Sequence, residues 1–128
     1  MSASRISVVL PVLAPTAFLR AMTEFAIKTL RLHADADFEL IVVEADHDYF
    51  SRLEYKPGLS SIERRDAVDR IDKYLNFNPK IGGVKELNAG VRAASNEFVL
   101  STGNDVIAPP HWDTELLRCF EERADCGV

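Results

Sequence analysis

The sequence predicts an open α/β fold, in which helices flank a mostly parallel sheet. Three short apolar runs, at residues 6–10, 38–43 and 97–100, predict buried strands. Their apolar residues are nearly continuous, which is typical of parallel strands that are covered on both faces. The segments between them have helical periodicity, and alternation of strands with helices is the pattern of α/β proteins.

Two helices are predicted in the first part of the chain. Thr16 is a good N-cap for the first. Its apolar face is predicted to comprise Phe18, Met22, Phe25, Ala26 and Thr29. Ser60 and Glu63 form a capping box, which predicts that a second helix follows. The apolar face of that second helix is predicted to comprise Val68, Ile71 and Leu75.

Two more helices, and a weak strand, are predicted in the second part. One helix follows Gly82, and its apolar residues are Val84, Leu87, Val91 and Ala94. The prolines Pro109 and Pro110 open the other, because proline suits the first turn of a helix. The apolar residues of that last helix are Trp112, Leu116 and Phe120. The weak strand is expected near Lys80 and Ile81.

Length and composition predict a single domain over residues 1–128 of a cytoplasmic protein. The chain is 47% hydrophobic and 27% charged, as is ordinary for a soluble globular domain. Its formal net charge of −5 argues against nucleic acid or an anionic membrane surface as partner. A membrane-spanning helix needs about 20 apolar residues, and every apolar run in this sequence is much shorter. We therefore do not expect an integral membrane protein. Cys119 and Cys126 lack zinc-ligand spacing and are expected to be reduced thiols.

Polar residues follow the predicted strands at the edge where ligands of open α/β sheets bind. A rigid turn at residues 11–15 follows the first strand, Glu44 and Asp46 follow the second, and Asn104 and Asp105 follow the third. Carboxylates that gather at one edge favour a bound cation. Mg²⁺ or Mn²⁺, held by one or two carboxylates and by substrate phosphates, meets that need. The alternative is that Asp and Asn stand here because they form turns.

Four motifs in order carry a resemblance to a known family. They are ISVVLPV, FELIVVEAD, GGVKELNAGVRAAS and NEFVLSTGNDVIAPPHW. Together they resemble the N-terminal, nucleotide-sugar-binding portion of a family 2 glycosyltransferase of the GT-A fold. The resemblance covers nearly all of the chain except residues 47–80. It implies a Rossmann-like GT-A nucleotide-binding half. It also implies inverting, Mn²⁺- or Mg²⁺-assisted transfer of a sugar from a nucleoside-diphosphate sugar to an acceptor hydroxyl.

The resemblance implies a set of residues that bind the nucleotide sugar. Pro11, Val12 and Ala14 match the part of the family that lines the nucleotide site, mostly through backbone groups. Glu44 matches the family's aspartate that reads the edge of the nucleobase. Asp46 is a lesser candidate, because the family more often has a small residue there.

The later motifs imply contacts to the diphosphate and to the metal. Gly82 and Asn88 match the segment that borders the base, the ribose and the diphosphate. Asp105 matches the last residue of the metal-binding D-x-D motif. Gly103 stands where the family has the first aspartate of this DXD-like motif, so Asn104 is the residue that could compensate.

Three functions remain open at this point. In the family, the general base and the acceptor-binding half lie beyond the position of Val128, so the resemblance implies the donor-binding portion and assigns no catalytic residue. Gly103 also favours a non-catalytic GT-A-like module that holds nucleotide. A structural or signalling α/β domain is the third reading, in which Asp46, Asp48 and Asp105 only mark turns. Self-association or a further C-terminal region would be compatible with any of these functions.

Overall fold

The computed structural model describes residues 5–53 and 70–123, and these contain a four-stranded sheet that is parallel throughout. The strands are β1 (Ile6–Val12), β2 (Glu39–Ala45), β3 (Lys73–Phe77) and β4 (Phe98–Ser101). Their spatial order is β3-β2-β1-β4. The predicted α/β class with a mostly parallel sheet is confirmed.

Three α-helices and one short 3₁₀ helix accompany the sheet in the described residues. They are α1 (Ala17–His33), the 3₁₀ helix (Tyr49–Leu53), α2 (Gly83–Ala93) and α3 (Trp112–Glu122). The predicted cap of α1 is present, since Thr16 Oγ1 accepts a hydrogen bond of 3.2 Å from the amide of Leu19. The helices predicted after Gly82 and after Pro110 are confirmed as α2 and α3.

The prediction for the region before α2 is wrong in two respects. Leu75, expected on a helix, lies in β3, and Ile71 forms a bridge just before that strand. The strand expected near Lys80 and Ile81 lies instead at Lys73–Phe77. Apolar residues four apart suit a helix. In β3, however, neighbouring side chains pack against opposite faces of the sheet, which is the periodicity of a strand. The other residues of that predicted helix, Ser60, Glu63 and Val68, lie outside the described residues.

The predicted buried face of α1 is also wrong in part. Phe18 is 74% exposed and Phe25 is 54% exposed. The residues of α1 that are buried are Thr23, Ala26, Ile27, Thr29 and Leu30. Apolar side chains occupy two sides of this helix, so periodicity alone does not show which side faces the sheet.

Side chains of the central strands alternate between two cores, one on each face of the sheet. Val8, Leu10, Leu40 and Val42 share the larger core with Ile27, Leu30 and Trp112. Val9, Ile41 and Val43 face the other way and pack against Leu87 and Ala93 at the α2 side. Helices α1 and α3 therefore cover one face, and α2 covers the other.

Helix α2 lies very close to the sheet at Gly90. A Cβ atom at this position would be 2.5 Å from Val9 Cγ1 and 3.0 Å from Val43 Cγ2. Real side chains do not approach that closely. Gly90 is therefore needed for the packing distance rather than for a turn.

Two further observations bear on the expectations from composition. No helix in the described stretches 5–53 and 70–123 is long and apolar enough to cross a membrane. Cys119, near the end of α3, is disulfide-bonded, so the prediction of a reduced thiol is wrong for this residue. Composition alone carries no information on which thiols meet in the fold.

Candidate functional site

The order of the strands reverses beside β1. The chain proceeds from β1 to β2 and β3 in one direction and then crosses to β4 on the other side of β1. In open α/β sheets, ligands bind in the crevice that such a reversal leaves at the carboxyl ends of the strands. The loop with Pro11, Val12 and Ala14 leaves β1 at this point, and the loop with Asn104 and Asp105 leaves β4. We call this place the switch point.

The β1 side of the switch point offers mainly backbone groups. Val12 and Ala14 are buried, and Pro11 is half-buried opposite Val43 of β2. Strand β4 ends opposite Val9, so β1 extends three residues farther toward the carboxyl edge. The structure places these residues at the carboxyl edge, and their contact with a nucleotide stays a prediction.

The β4 side carries the polar side chains of the switch point. Asn104 Nδ2 donates to Thr23 Oγ1 of α1 at 3.1 Å, which holds the loop against the second turn of that helix. Asp105 is exposed. Its Oδ1 lies 2.8 Å from where a Cβ would stand at Gly103, so the carboxylate folds back over the position at which the family has its first aspartate.

The described residues offer few ligands for a divalent cation at this place. Within residues 5–53 and 70–123, no three His, Cys, Asp or Glu side chains come together as a metal-binding group. Asp105 thus fits Mg²⁺ or Mn²⁺ only as a single carboxylate, with substrate phosphates and water as the other ligands. Sites for Mg²⁺ are commonly built in this way.

Glu44 is turned into the protein. Its Oε1 accepts hydrogen bonds from the amide of Phe50 at 3.0 Å and from the hydroxyl of Tyr74 at 2.7 Å. Burial and the hydrogen bond to Glu44 raise the pKa of Tyr74 far above its usual value. Glu44 Oε2 is buried and has no hydrogen-bond partner in the described part of the chain. A nucleobase would reach this carboxylate only if Tyr74 or the 3₁₀ helix moved.

Asp46 closes the end of β2. It has a positive φ of 63°, a conformation that aspartate tolerates better than most residues. Its amide donates to the carbonyl of Phe77, and its Oδ1 accepts from the amide of Lys80, both at 2.8 Å. Asp46 therefore joins the ends of β2 and β3, and its carboxylate is partly engaged in that role.

The start of α2 lies at the same edge, since this helix leads from the end of β3 back toward the start of β4. Gly82 precedes it with a φ of 109°, which favours glycine. The amides of Ile81 and Gly82 donate to Glu86 Oε2 at 2.9 and 3.3 Å. A carboxylate of α2 itself therefore already accepts from these two donors. Asn88 is exposed and lies two residues before Gly90, which faces the sheet. The fold thus brings Gly82 to the carboxyl edge but leaves Asn88 on the outer side of α2.

Two residues at this edge were not singled out from the sequence. Arg20, in the first turns of α1, donates from Nε to the carbonyl of Ala14 at 3.1 Å. Its guanidinium carbon lies 4.9 Å from the ring centre of Tyr49 in the 3₁₀ helix. The only sequence signal was that Arg20 lies four residues after the capping Thr16, which places it near the carboxyl end of β1.

Comparison with known proteins adds a likeness of fold. No family model and no curated protein match the chain. Among solved structures, S. aureus TarS 1-349 in complex with UDP matches with a TM-score of 0.65 at 20% identity, over 94% of this chain and 33% of that one. The structure of TarS 1-349 described without UDP gives 0.62 at 20% identity over the same shares. Another TarS structure gives 0.61 at 20% identity, over 92% of this chain and 20% of that one.

These likenesses show the fold. The chain has an α/β fold like that of the matched part of the TarS structures. It spans a third of the length of the TarS fragment that it matches. Activity, substrates and partners are therefore matters for proposal.

Proposed function

We propose that this chain is the donor-binding portion of a family 2, GT-A fold glycosyltransferase. It binds a nucleoside-diphosphate sugar at the switch point and serves the transfer of the sugar to an acceptor hydroxyl. The observation that carries the proposal is that the loops after β1 and β4 meet at the reversal of strand order. The likeness to a TarS structure in complex with UDP supports it.

The chemistry follows from the charge of the leaving group. Negative charge builds on the diphosphate as the bond to the sugar breaks, and stabilising that charge is usually a large part of catalysis. Asp105 would hold Mg²⁺ or Mn²⁺, which when bound supplies Lewis-acid stabilisation of the diphosphate. Inversion at the sugar also needs a base near the acceptor oxygen, and no residue of this chain is assigned to that role.

A second candidate is a GT-A-like module that holds nucleotide without transferring sugar. Gly103 in the DXD-like motif favours it, as does the lack of a three-ligand group among the described residues. Hydrolysis of a nucleoside-diphosphate sugar by the protein would favour the enzyme over the module.

The cytoplasmic location stays a prediction. Reduced cysteines no longer support it, because Cys119 is disulfide-bonded.

Nucleotide binding is tested by melting temperature with UDP, GDP and dTDP, each with and without Mn²⁺. A ligand at 100 times its Kd stabilises the folded state by about 2.7 kcal/mol, which gives a clear shift. We expect at least one nucleotide to stabilise the protein, and Mn²⁺ to increase the effect. Asp105→Ala should abolish the increase due to Mn²⁺ and leave the melting temperature of the free protein nearly unchanged, because Asp105 is exposed.

Glu97→Ala is the matched control for that variant. It also removes one exposed carboxylate, but just before β4, at the opposite edge of the sheet. We expect it to behave as the wild type with every ligand. If Asp105→Ala keeps the full Mn²⁺ effect, the metal assignment is wrong. If no nucleotide stabilises the wild type, a structural or signalling function is favoured instead.

A further inference from the structure

Arg20 is held at the carboxyl edge by two different contacts. Its Nε donates to the carbonyl of Ala14, in the loop after β1. Its guanidinium lies over the ring of Tyr49, which belongs to the segment after β2. Stacking of a cation on an aromatic face restricts where the group can go. The guanidinium is therefore positioned where the loops after β1 and β2 approach each other.

The outer nitrogens of Arg20 remain available for a ligand. In residues 5–53 and 70–123, Arg20 Nη1 and Nη2 have no hydrogen-bond or ion-pair partner. Arg52, which also lies over the ring of Tyr49, differs because it is paired with Glu24. A guanidinium presents its N–H groups as a planar fork that matches two phosphate oxygens.

Arg20 also lies close along α1 to the loop that follows β4. Thr23 comes three residues after Arg20, and side chains three apart are neighbours on a helix surface. Thr23 Oγ1 accepts the hydrogen bond from Asn104, the residue beside Asp105. The base of the Arg20 side chain therefore lies next to Thr23, the residue of α1 that holds the loop after β4.

A diphosphate at the switch point needs positive charge that the predicted residues do not supply. Asp105 is the one carboxylate there that the resemblance assigns to a metal, and it has no three-ligand group around it in the described part of the chain. The amides of Ile81 and Gly82, just before α2, are taken by Glu86. Arg20 is a positioned cation that can meet this need.

We infer that Arg20 is a phosphate-binding residue of the nucleotide site. Its Nη groups donate to the diphosphate of the nucleoside-diphosphate sugar, and its charge replaces part of what a fully ligated metal would supply. This inference rests on the proposed function, because it assumes that a nucleoside diphosphate occupies the switch point. Part of the binding free energy of the diphosphate would then come from Arg20 and would not depend on a metal.

The test compares a nucleoside diphosphate with its nucleoside, which lacks the phosphates. Dissociation constants are measured by calorimetry for UDP and uridine, or for GDP or dTDP and its nucleoside if that base binds best. Measurements are made without metal and with Mn²⁺. In both conditions, Arg20→Gln should weaken diphosphate binding about 10- to 100-fold, the range for hydrogen bonds to charged groups. Nucleoside affinity should not change, and Arg20→Lys should recover part of the loss.

Lys28→Gln is the matched control, since it removes one positive charge from an exposed position farther along α1. It should bind both ligands as the wild type does. Equal loss of diphosphate and nucleoside affinity in Arg20→Gln would mean that Arg20 only supports the fold, and the inference would be wrong. Unchanged diphosphate affinity would overturn the inference and leave the proposed function standing. A wild type that binds no nucleotide would overturn both.

Discussion

Arg31→Met is expected to lower the free energy of unfolding by about 3 kcal/mol, the upper end of the cost of leaving buried acceptors without donors, while Arg70 still pairs with Asp72. Arg31 Nη2 donates to Asp72 Oδ2 at 2.9 Å and to the carbonyl of Arg70 at 3.0 Å. Its Nη1 donates to the carbonyl of Phe38 at 2.9 Å and to Asp37 at 3.3 Å. Burial lowers the pKa of Arg31, and the charge of Asp72 opposes that shift. Removing the guanidinium leaves buried acceptors with fewer donors.

Chemical denaturation measures this effect, and Arg118→Met is the control. Arg118 pairs with Glu115 on the exposed surface of α3, where such pairs contribute at most about 1 kcal/mol. The Arg31 group lies near the amino ends of β2 and β3, away from the switch point. An Arg31→Met protein no less stable than the control would show that the buried network does not hold these ends together.

Gly90→Leu is expected to lower the free energy of unfolding by about 3 kcal/mol, at the upper end of the usual cost of overpacking a core. The first carbon of the new side chain would already lie 2.5 Å from Val9 Cγ1. Helix α2 would have to move off the sheet, and the contacts of Leu87 and Ala93 with the core would loosen. Chemical denaturation again measures the effect.

Gly83→Leu provides the matched control for this prediction. It introduces the same side chain into the same helix, but outside its chain neighbours and the adjacent helix backbone, nothing in the described residues lies within 4 Å of a Cβ at Gly83. We expect it to change stability little. If the two leucine variants are equally stable, the close approach of α2 to Val9 is not a feature of the protein in solution.

The sequence predicted those parts of the fold in which one pattern dominates. Strands β1, β2 and β4 contain short apolar runs, and three of these runs in alternation with helices already indicate a parallel sheet. Strand β3 was missed because it is at the edge and only partly buried, so its residues lack a continuous apolar run. The face of α1 was misassigned because Phe18 and Phe25 are apolar yet exposed.

Which residues lie at the carboxyl edge of the sheet was easier to predict than the orientation of their side chains. Parallel strands place their carboxyl ends at one edge, so Ala14 and Asp105 follow from the strand predictions alone. The direction of Glu44 depends on Phe50 and Tyr74, which belong to other elements. The position of the Arg20 guanidinium depends likewise on a tertiary contact with Tyr49. Such contacts leave no periodic signal in a single sequence.

The most direct test of the central claim is to locate the bound nucleotide by NMR. Backbone amide shifts of the labelled protein are followed during titration with the best-bound nucleoside diphosphate and Mg²⁺, which is diamagnetic and does not broaden the signals of nearby amides. If the nucleotide binds at the switch point, the largest changes in amide shift fall at residues 12–14 and 102–106, with smaller ones at the start of α1. Changes confined to the amino edge, around Asp37 and Asp72, would contradict it, as would a titration that leaves both loops unchanged.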